Sequence, residues 1–208
     1  MNTSSVSIKS AIAILVVICT LIADQIIKIT VKTNMGLYEI INVTNGFEIR
    51  FTENDGMAFG MDFIGTMFLA LFRMAAIIFF SYILYNIVRK NAPTGFIVCF
   101  SLVVAGAAGN IIDNCLYGLI FTESIYGMPP AHFVPIGQGY GSFLSGHVVD
   151  MFYFPLFEWP SWMPLVGGNV FFGAIFNFAD AAISCGAVAL FIFYHKLLSL
   201  DYLLKARQ

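Results

Sequence analysis

The chain has 208 residues, of which 59% are hydrophobic and 11% are charged, and its formal net charge is −2. So few charged side chains cannot cover the surface of a soluble globule, and the mean hydropathy of +0.85 is typical of a membrane protein. The weak negative charge argues against a nucleic-acid partner, because the chain has no excess of basic side chains to bind phosphates.

Four apolar segments each have about the 20 residues that a transmembrane helix needs. In chain order they cover residues 10–31, 65–88, 95–117 and 170–194. The first segment lacks a small-residue cleavage site, so we expect it to remain as an uncleaved helix. The sequence predicts an all-α membrane protein with four transmembrane helices, organised as a single integral membrane domain over residues 1–208. Its outer segments are residues 32–64 and 118–169.

The first outer segment contains a hairpin signal. Residues 38–43 and 47–52 favour β-strands and flank the turn Thr44-Asn45-Gly46. An Asn-Gly pair between two such runs is a strong indication of a β-hairpin. We therefore expect a small extracytoplasmic β-sheet.

The second outer segment combines Gly and Pro with aromatic residues between residues 118 and 146. Gly and Pro at this density argue against regular structure, and the aromatic residues argue against a free linker. We expect an extended irregular loop, which is either a partial cover that affects entry to a functional site or a surface insertion. Further along, Trp159 and Trp162 predict an anchor at the outer membrane interface.

The basic residues predict the orientation of the chain. Lys9, Arg89 and Lys196 lie next to the ends of the apolar segments, whereas residues 119–168 contain no Lys or Arg. Basic residues accumulate in cytoplasmic segments. Both termini are therefore predicted to be cytoplasmic, and both outer segments are predicted to face the outside.

Carboxylates and amides interrupt the apolar segments. Asn110 and Asp113 are three residues apart, and Asn177 and Asp180 repeat this spacing. On helices this spacing puts each amide on the same face as a carboxylate. Asp150 precedes the fourth segment and can fold back to the same place. An ionised group in hydrocarbon costs at least about 2.5 kcal/mol, so a function is expected for these residues.

Carboxylates gathered in a poorly solvated cleft cannot all ionise, because one negative charge disfavours the next. Two that share a proton can act as base and acid, one taking a proton from a water that attacks a peptide carbonyl and the other donating to the carbonyl oxygen. Three alternatives remain at this point. They are a carboxylate-based proton or ion transporter, an assembly subunit, and side chains that only hydrogen-bond the helices together. Asp24 and Lys28, four residues apart, can also simply neutralise each other while Lys28 extends towards the surface.

Five motifs resemble those of the lipoprotein signal peptidases, also called signal peptidase II, and follow the same order. They are Asp24 with Lys28, Asn54-Asp55-Gly56-Met57-Ala58-Phe59-Gly60, Gly109-Asn110-Ile111-Ile112-Asp113, Val148-Val149-Asp150-Met151 and Phe176-Asn177-Phe178-Ala179-Asp180. The resemblance covers all four predicted spans. Five motifs in one order are far more specific than any one of them.

The resemblance implies an aspartic endopeptidase of the bacterial cytoplasmic (inner) membrane, which removes the signal peptide from diacylglyceryl-modified prolipoproteins by cleaving before the lipidated cysteine. It implies that Asp150 and Asp180 are the catalytic pair, near the outer leaflet. It assigns supporting or substrate-binding roles to Asp24, Lys28, Asn54, Gly56, Ala58, Asn110, Asp113, Asn177 and Ala179. The implied partners are lipidated prolipoprotein signal peptides, membrane lipid and globomycin-like peptide inhibitors, and neither a metal nor an organic cofactor is expected.

The sequence departs from the family pattern in three places. Asn114 stands where the family usually has Arg. Asp113 and Asp150 are 37 residues apart, which is far more than usual, and the interval from Asp150 to Asn177 is also long. We expect the extra length to lie outside and to leave the four-span core unchanged.

Overall fold

The structure is a computed structural model that describes residues 3–54 and 63–204, and within these it describes the side chains of residues 5–54, 71–199 and 202–204. Gly56 and Ala58, which were predicted to line the site, lie outside the described residues.

The described residues form four long helices. They are α1 (Thr3–Asn34), α2 (Phe63–Arg89), α3 (Thr94–Ile120) and α4 (Phe178–Tyr194), and a 3-10 turn and a short α5 (Leu200–Leu204) follow. Four helical stretches are apolar and long enough to cross a bilayer, namely Ser5–Asn34, Leu71–Arg89, Thr94–Ile120 and Phe178–Leu197, the last of which runs through α4 and the following 3-10 turn. The prediction of four transmembrane helices is confirmed.

The predicted start of the fourth span at residue 170 is wrong by eight residues, because α4 begins at Phe178. Val170 and Phe171 instead form a strand that pairs with Phe157 and Glu158. Phe172 then has a φ of 62°, in the left-handed region. A right-handed helix cannot continue through such a residue. Apolar composition alone could not distinguish this strand from a helical turn.

The predicted hairpin is confirmed and belongs to a three-stranded sheet. Strands β1 (Ile40–Thr44), β2 (Phe47–Asn54) and β3 (Val148–Tyr153) are antiparallel in the order β1-β2-β3. A second, two-stranded sheet consists of β4 (Phe157–Glu158) and β5 (Val170–Phe171). The sequence missed β3 because nearly all of its residues are buried, so it lacks the alternation of an ordinary half-exposed strand.

The chain forms two compact units. The helical unit comprises Met1–Gln25, Phe63–Ile112 and Phe178–Gln208, and the sheet unit comprises Ile26–Asp62 and Asp113–Asn177. The helical unit packs around buried apolar side chains that include Ile83, Ile87, Phe96, Ile97 and Leu190. The sheet unit has its own core, which includes Val31, Phe51, Tyr117, Phe121 and Met151.

The segment after α3 is irregular, as the sequence predicted, but its backbone is tied to the end of that helix. Four N–H groups of this segment donate to carbonyls at or just after the end of α3, at 2.8–3.0 Å. The donor and acceptor pairs are Val134 with Ile120, Gly137 with Leu119, Tyr140 with Phe121, and Gly141 with Gly118. The last carbonyls of a helix have no partner within the helix. The segment therefore caps α3, and its proposed effect on entry to a functional site stays a prediction.

Candidate active site

Asp150 lies in the middle of β3, opposite Thr52 of β2, and is 5% exposed. Asn177, the residue before α4, donates from Nδ2 to Oδ1 of Asp150 at 2.6 Å, and the Asn177 side chain is fully buried. The backbone beside it is also fixed, because Phe152 and Phe176 exchange hydrogen bonds of 2.8 and 3.1 Å. The carboxyl group of Asp150 is thus held by both a strand and a side-chain amide.

Asp180 lies in the first turn of α4. Asn110 of α3 donates from Nδ2 to Oδ1 of Asp180 at 2.8 Å. The sequence placed each amide beside the carboxylate of its own helix. In the structure Asn110 holds Asp180, and Asn177 precedes α4 instead of belonging to it, so the spacing of three residues did not identify the partners.

Asp24 holds the beginning of α4. Its Oδ1 accepts the backbone N–H of Ala179 at 2.9 Å, and its Oδ2 accepts from Gln25 at 3.1 Å. Asp24 is 1% exposed. The first N–H groups of a helix have no partner within the helix and carry partial positive charge, so a carboxylate stabilises them. Ala179 thus contributes to the site through its backbone N–H group, which donates to Asp24.

Two glycines of α3 allow this arrangement. A Cβ atom on Gly109 would lie 2.6 Å from Oδ2 of Asp24, and one on Gly106 would collide with the carbonyl oxygen of Ala179. Neither Asp24 nor the backbone of α4 can move aside cheaply. Gly106 and Gly109 are therefore required for the close approach of α3, α1 and α4 at Asp24.

Lys28 forms an ion pair with Asp113 in the sheet unit. Nζ of Lys28 lies 2.8 Å from Oδ2 of Asp113, and both side chains are fully buried. Oδ2 of Asp113 also accepts the N–H of Val149 at 3.4 Å, one residue before Asp150. Lys28 is buried and does not extend to the surface, contrary to the alternative drawn from its spacing to Asp24.

Comparison with known proteins shows the family to which the chain belongs. The signal peptidase (SPase) II family profile matches residues 16–196. The lipoprotein signal peptidase of Porphyromonas gingivalis is 47% identical over 189 residues, which cover 88% of this chain and 83% of that protein. The chain belongs to the signal peptidase II family. It is therefore an aspartic endopeptidase of lipoprotein precursors, and the alternative of a transporter is not supported.

More distant relatives agree. The lipoprotein signal peptidase of Amoebophilus asiaticus is 33% identical over 187 residues, which cover 85% of this chain and 74% of that protein. A solved bacterial membrane enzyme, studied by the in meso method, superposes with a TM-score of 0.60 at 24% identity, over 90% of this chain and 93% of that one. This last similarity concerns the fold alone. Together the comparisons and the helices identify a multi-pass bacterial inner-membrane protein.

Asn114, where the resemblance leads us to expect Arg in the family, is buried and holds the end of the outer loop. Its Nδ2 donates to the carbonyl of Gly146 at 2.6 Å, and its own carbonyl accepts the N–H of Gly146 at 3.0 Å. A Cβ atom on Gly146 would collide with the carbonyl oxygen of Asp113. Asn114 therefore fixes the chain four residues before Asp150.

A buried cluster around Glu53 was missed by the sequence analysis. Lys32 donates to Oε1 of Glu53, Ser124 donates to the same oxygen at 2.8 Å, and Nδ1 of His147 lies 3.3 Å from Oε2. Burial by itself raises the pKa of Glu53, but the hydrogen bonds from His147, Lys32 and Ser124 and the charge of Lys32 outweigh it, so this pKa lies below its ordinary value. The available signal was the spacing of Asp24, Lys28 and Lys32, which repeats every four residues on one face of α1.

Asn54 is the last residue of β2 and lies opposite Val148 of β3. It is thus two residues from the position that pairs with Asp150. Within the described residues, no group of three or more His, Cys, Asp or Glu side chains is arranged to hold a metal ion.

Proposed function

We propose that Asp150 and Asp180 are the catalytic pair of this signal peptidase II. One carboxylate takes a proton from water as the water oxygen attacks the scissile carbonyl, and the other, protonated, donates to the carbonyl oxygen. When the tetrahedral intermediate collapses, the C–N bond breaks, the first acid gives the proton it took from water to the leaving amine, and a hydroxyl of the intermediate returns a proton to the other carboxylate. The observation that carries the proposal is the pair of hydrogen bonds from Asn177 to Asp150 and from Asn110 to Asp180.

An asparagine is suited to hold a carboxyl group that changes protonation. Its amide donates to one carboxyl oxygen without bringing a charge, so it does not fix the group in the ionised form as Lys or Arg does. Asn110 and Asn177 would orient the two acids through the reaction. The charged residue Lys28 is paired with Asp113 and would act on the position of β3 through the contact of Asp113 with Val149.

The remaining family residues are assigned supporting roles. Asp24 would fix the N-terminus of α4 through Ala179, and so the first turn that contains Asp180. Asn54, Gly56 and Ala58 are proposed to line the cleft for the substrate peptide, because they match the family motif that follows β2. The proposal includes no metal and no organic cofactor.

The substrate is proposed to be a prolipoprotein whose cysteine carries a diacylglyceryl group. Each buried CH₂ contributes about 0.8 kcal/mol, so the lipid would dominate recognition and confine the substrate to the plane of the membrane. The distribution of Lys and Arg supports cytoplasmic termini and an active site near the outer leaflet. Globomycin-like peptides would compete with this substrate.

The test is cleavage of a lipidated prolipoprotein by purified protein in vesicles. Asp150→Asn and Asp180→Asn keep the size of each side chain but remove the exchangeable proton, so each should abolish cleavage while the protein stays inserted and folded. Glu158→Gln makes the same chemical change at an exposed carboxylate and should retain full activity. Metal chelators should leave the wild-type rate unchanged, and unlipidated precursor should be cleaved poorly. Substantial turnover by either Asp variant would remove the assignment of the pair.

A further inference from the structure

Strands β4 and β5 form a hairpin of aromatic residues that the protease mechanism does not use. We call residues 157–171 the aromatic hairpin. Phe157 of β4 and Phe171 of β5 are paired in register, and their rings stack at 4.7 Å with an angle of 11°. Trp159 packs edge-on against both rings, at 5.1 and 5.6 Å. The base of the hairpin is therefore a cluster of three aromatic rings in mutual contact.

The tip of the aromatic hairpin has a fixed backbone. Trp159 and Gly168 are joined by a hydrogen bond of 2.9 Å, and Met163 accepts from Gly167 at 2.9 Å. Gly168 has a φ of +77°, which favours glycine, and a Cβ atom on Gly167 would lie 2.7 Å from the carbonyl oxygens of Ser161 and Met163. The tip is thus a defined turn that holds its side chains in place.

This turn directs large apolar side chains outwards. Trp162 is 78% exposed and Leu165 is 100% exposed. The single charged residue between residues 154 and 176 is Glu158. In water, an exposed Trp and Leu on a rigid turn contribute no stabilising free energy, because their apolar surface remains hydrated.

A continuous series of rings connects the hairpin to the three-stranded sheet. Phe154 stacks on Phe47 of β2 at 4.7 Å and on Phe176 at 5.8 Å, and Phe172 contacts both Phe154 and Phe176. Phe176 is only two residues before the first residue of α4. The hairpin is therefore a rigid extension of the sheet, and the chain leaves it directly into a transmembrane helix.

We propose that the tip of the aromatic hairpin, Trp162 with Leu165, is inserted into the lipid headgroup and acyl boundary of the leaflet on the side where α4 begins. Trp is enriched at this depth because it combines an apolar ring with one N–H donor. A protein partner is less well matched, because such interfaces carry a polar rim that pairs with the partner, whereas this tip has no charged side chain. Insertion of Trp162 and Leu165 adds an attachment to lipid beyond the four helices.

The chain contains two tryptophans, both in the hairpin, so its intrinsic Trp fluorescence reports on this element without labelling. Trp162→Phe leaves Trp159 as the emitter, and the difference from wild type gives the Trp162 contribution. Because Trp162 is exposed, this variant does not disturb the packing of the hairpin. Full-length protein is placed in phosphatidylcholine vesicles whose acyl chains are brominated near the glycerol end, near the methyl end, or not at all.

The Trp162 emission should be at least halved by bromine near the glycerol end, less by bromine near the methyl end, and little by iodide in the water. Trp159, enclosed by Phe157 and Phe171, should be quenched less by every agent and serves as the internal control. Trp162 emission that responds to iodide but not to bromolipid would overturn the proposal, because the tip would then face water. Insensitivity to both agents would also overturn it, since protein would then cover the tip. Neither result depends on proteolysis, so the proposed catalytic pair is tested separately.

Discussion

Asp150 and Asp180 are held by the same chemical group in two regions that are built differently. In the helical unit, Asn110 binds Asp180 in the first turn of α4, and in the sheet unit, Asn177 binds Asp150 on β3. In the sheet unit, Asp150 is 5% exposed and its donor Asn177 is fully buried, whereas in the helical unit Asp180 is partly exposed and its donor Asn110 is 7% exposed. The two acids thus have equivalent donors and unequal frameworks.

Among the described residues of the sheet unit there are two buried ion pairs, Lys28 with Asp113 and Lys32 with Glu53. Buried pairs are weak sources of stability compared with apolar packing, but breaking one is costly because the remaining charge has no partner. These pairs therefore define where β2 and β3 lie more than they stabilise the fold. The comparison between the surroundings of Asp150 and of Asp180 leads to four predictions.

The largest effect tests whether the two acids work as one unit. Asp150→Asn and Asp180→Asn should each lower kcat by roughly a thousandfold or more, and the double variant should be no slower than the worse single variant, because removing either partner already removes the shared proton. Single-turnover rates on lipidated substrate measure this. Losses that multiply in the double variant would show that the two carboxylates act independently.

The second prediction compares the asparagines. Asn177→Ala should lower the rate more than Asn110→Ala, because it removes a hydrogen-bond donor from a carboxyl group on a buried strand. A hydrogen bond to a charged group contributes about 1.5–3 kcal/mol, which corresponds to roughly a 10- to 100-fold loss in kcat. KM should change little in both variants. Asn34→Ala, at the exposed end of α1, is the control and should be indistinguishable from wild type. Equal losses for both asparagines would remove the distinction between the two frameworks.

The third prediction concerns the stability of the sheet unit. Lys28→Met or Asp113→Asn alone should lower the free energy of unfolding by about 3–5 kcal/mol, and the double variant Lys28→Met/Asp113→Leu should recover part of this loss. Glu48→Gln breaks the partly exposed ion pair with Arg50, in which the side chains of Glu48 and Arg50 are 16% and 32% exposed, and should cost at most about 1 kcal/mol. Thermal unfolding in detergent measures these changes in the free energy of unfolding. If breaking the Glu48–Arg50 pair cost as much as breaking the Lys28–Asp113 pair, the prediction would be contradicted.

The smallest effect is the dependence on pH. The folded state holds the pKa of Glu53 below its ordinary value of 4.5, so Glu53 contributes stability above 4.5 that is lost as the pH falls through the lower folded value. Amide hydrogen exchange in β2 and β3 should therefore increase as the pH is lowered below 4.5, after correction for the intrinsic rate. Glu53→Gln should be less protected at neutral pH and should show a flatter pH profile. An unchanged profile in this variant would assign the acid sensitivity to other groups.

The sequence predicted the helices well and the partners poorly. The four spans follow from apolar length, and the hairpin follows from Asn45-Gly46 and its flanking strands. The pairing of Lys28 with Asp113, and of each Asn with an Asp distant in sequence, depends on how segments pack, and spacing within one helix contains no information about that. The strand that carries Asp150 was missed for a related reason, because a strand buried on both faces has no polar alternation.

The capping of α3 by the outer loop affects how that loop can be shortened. Residues 134–141 supply the N–H groups for the four carbonyls of residues 118–121, whereas residues 123–131 supply none of these. Replacing the whole of 123–140 by a flexible linker would remove three of these four donors together with the rest of the loop, so a loss of activity would not reveal which part mattered. A shorter deletion, confined to 125–130, keeps the helix end and the Ser124 contact to Glu53 intact. A shortened chain should therefore retain residues 134–141, because their N–H groups cap the C-terminal end of α3.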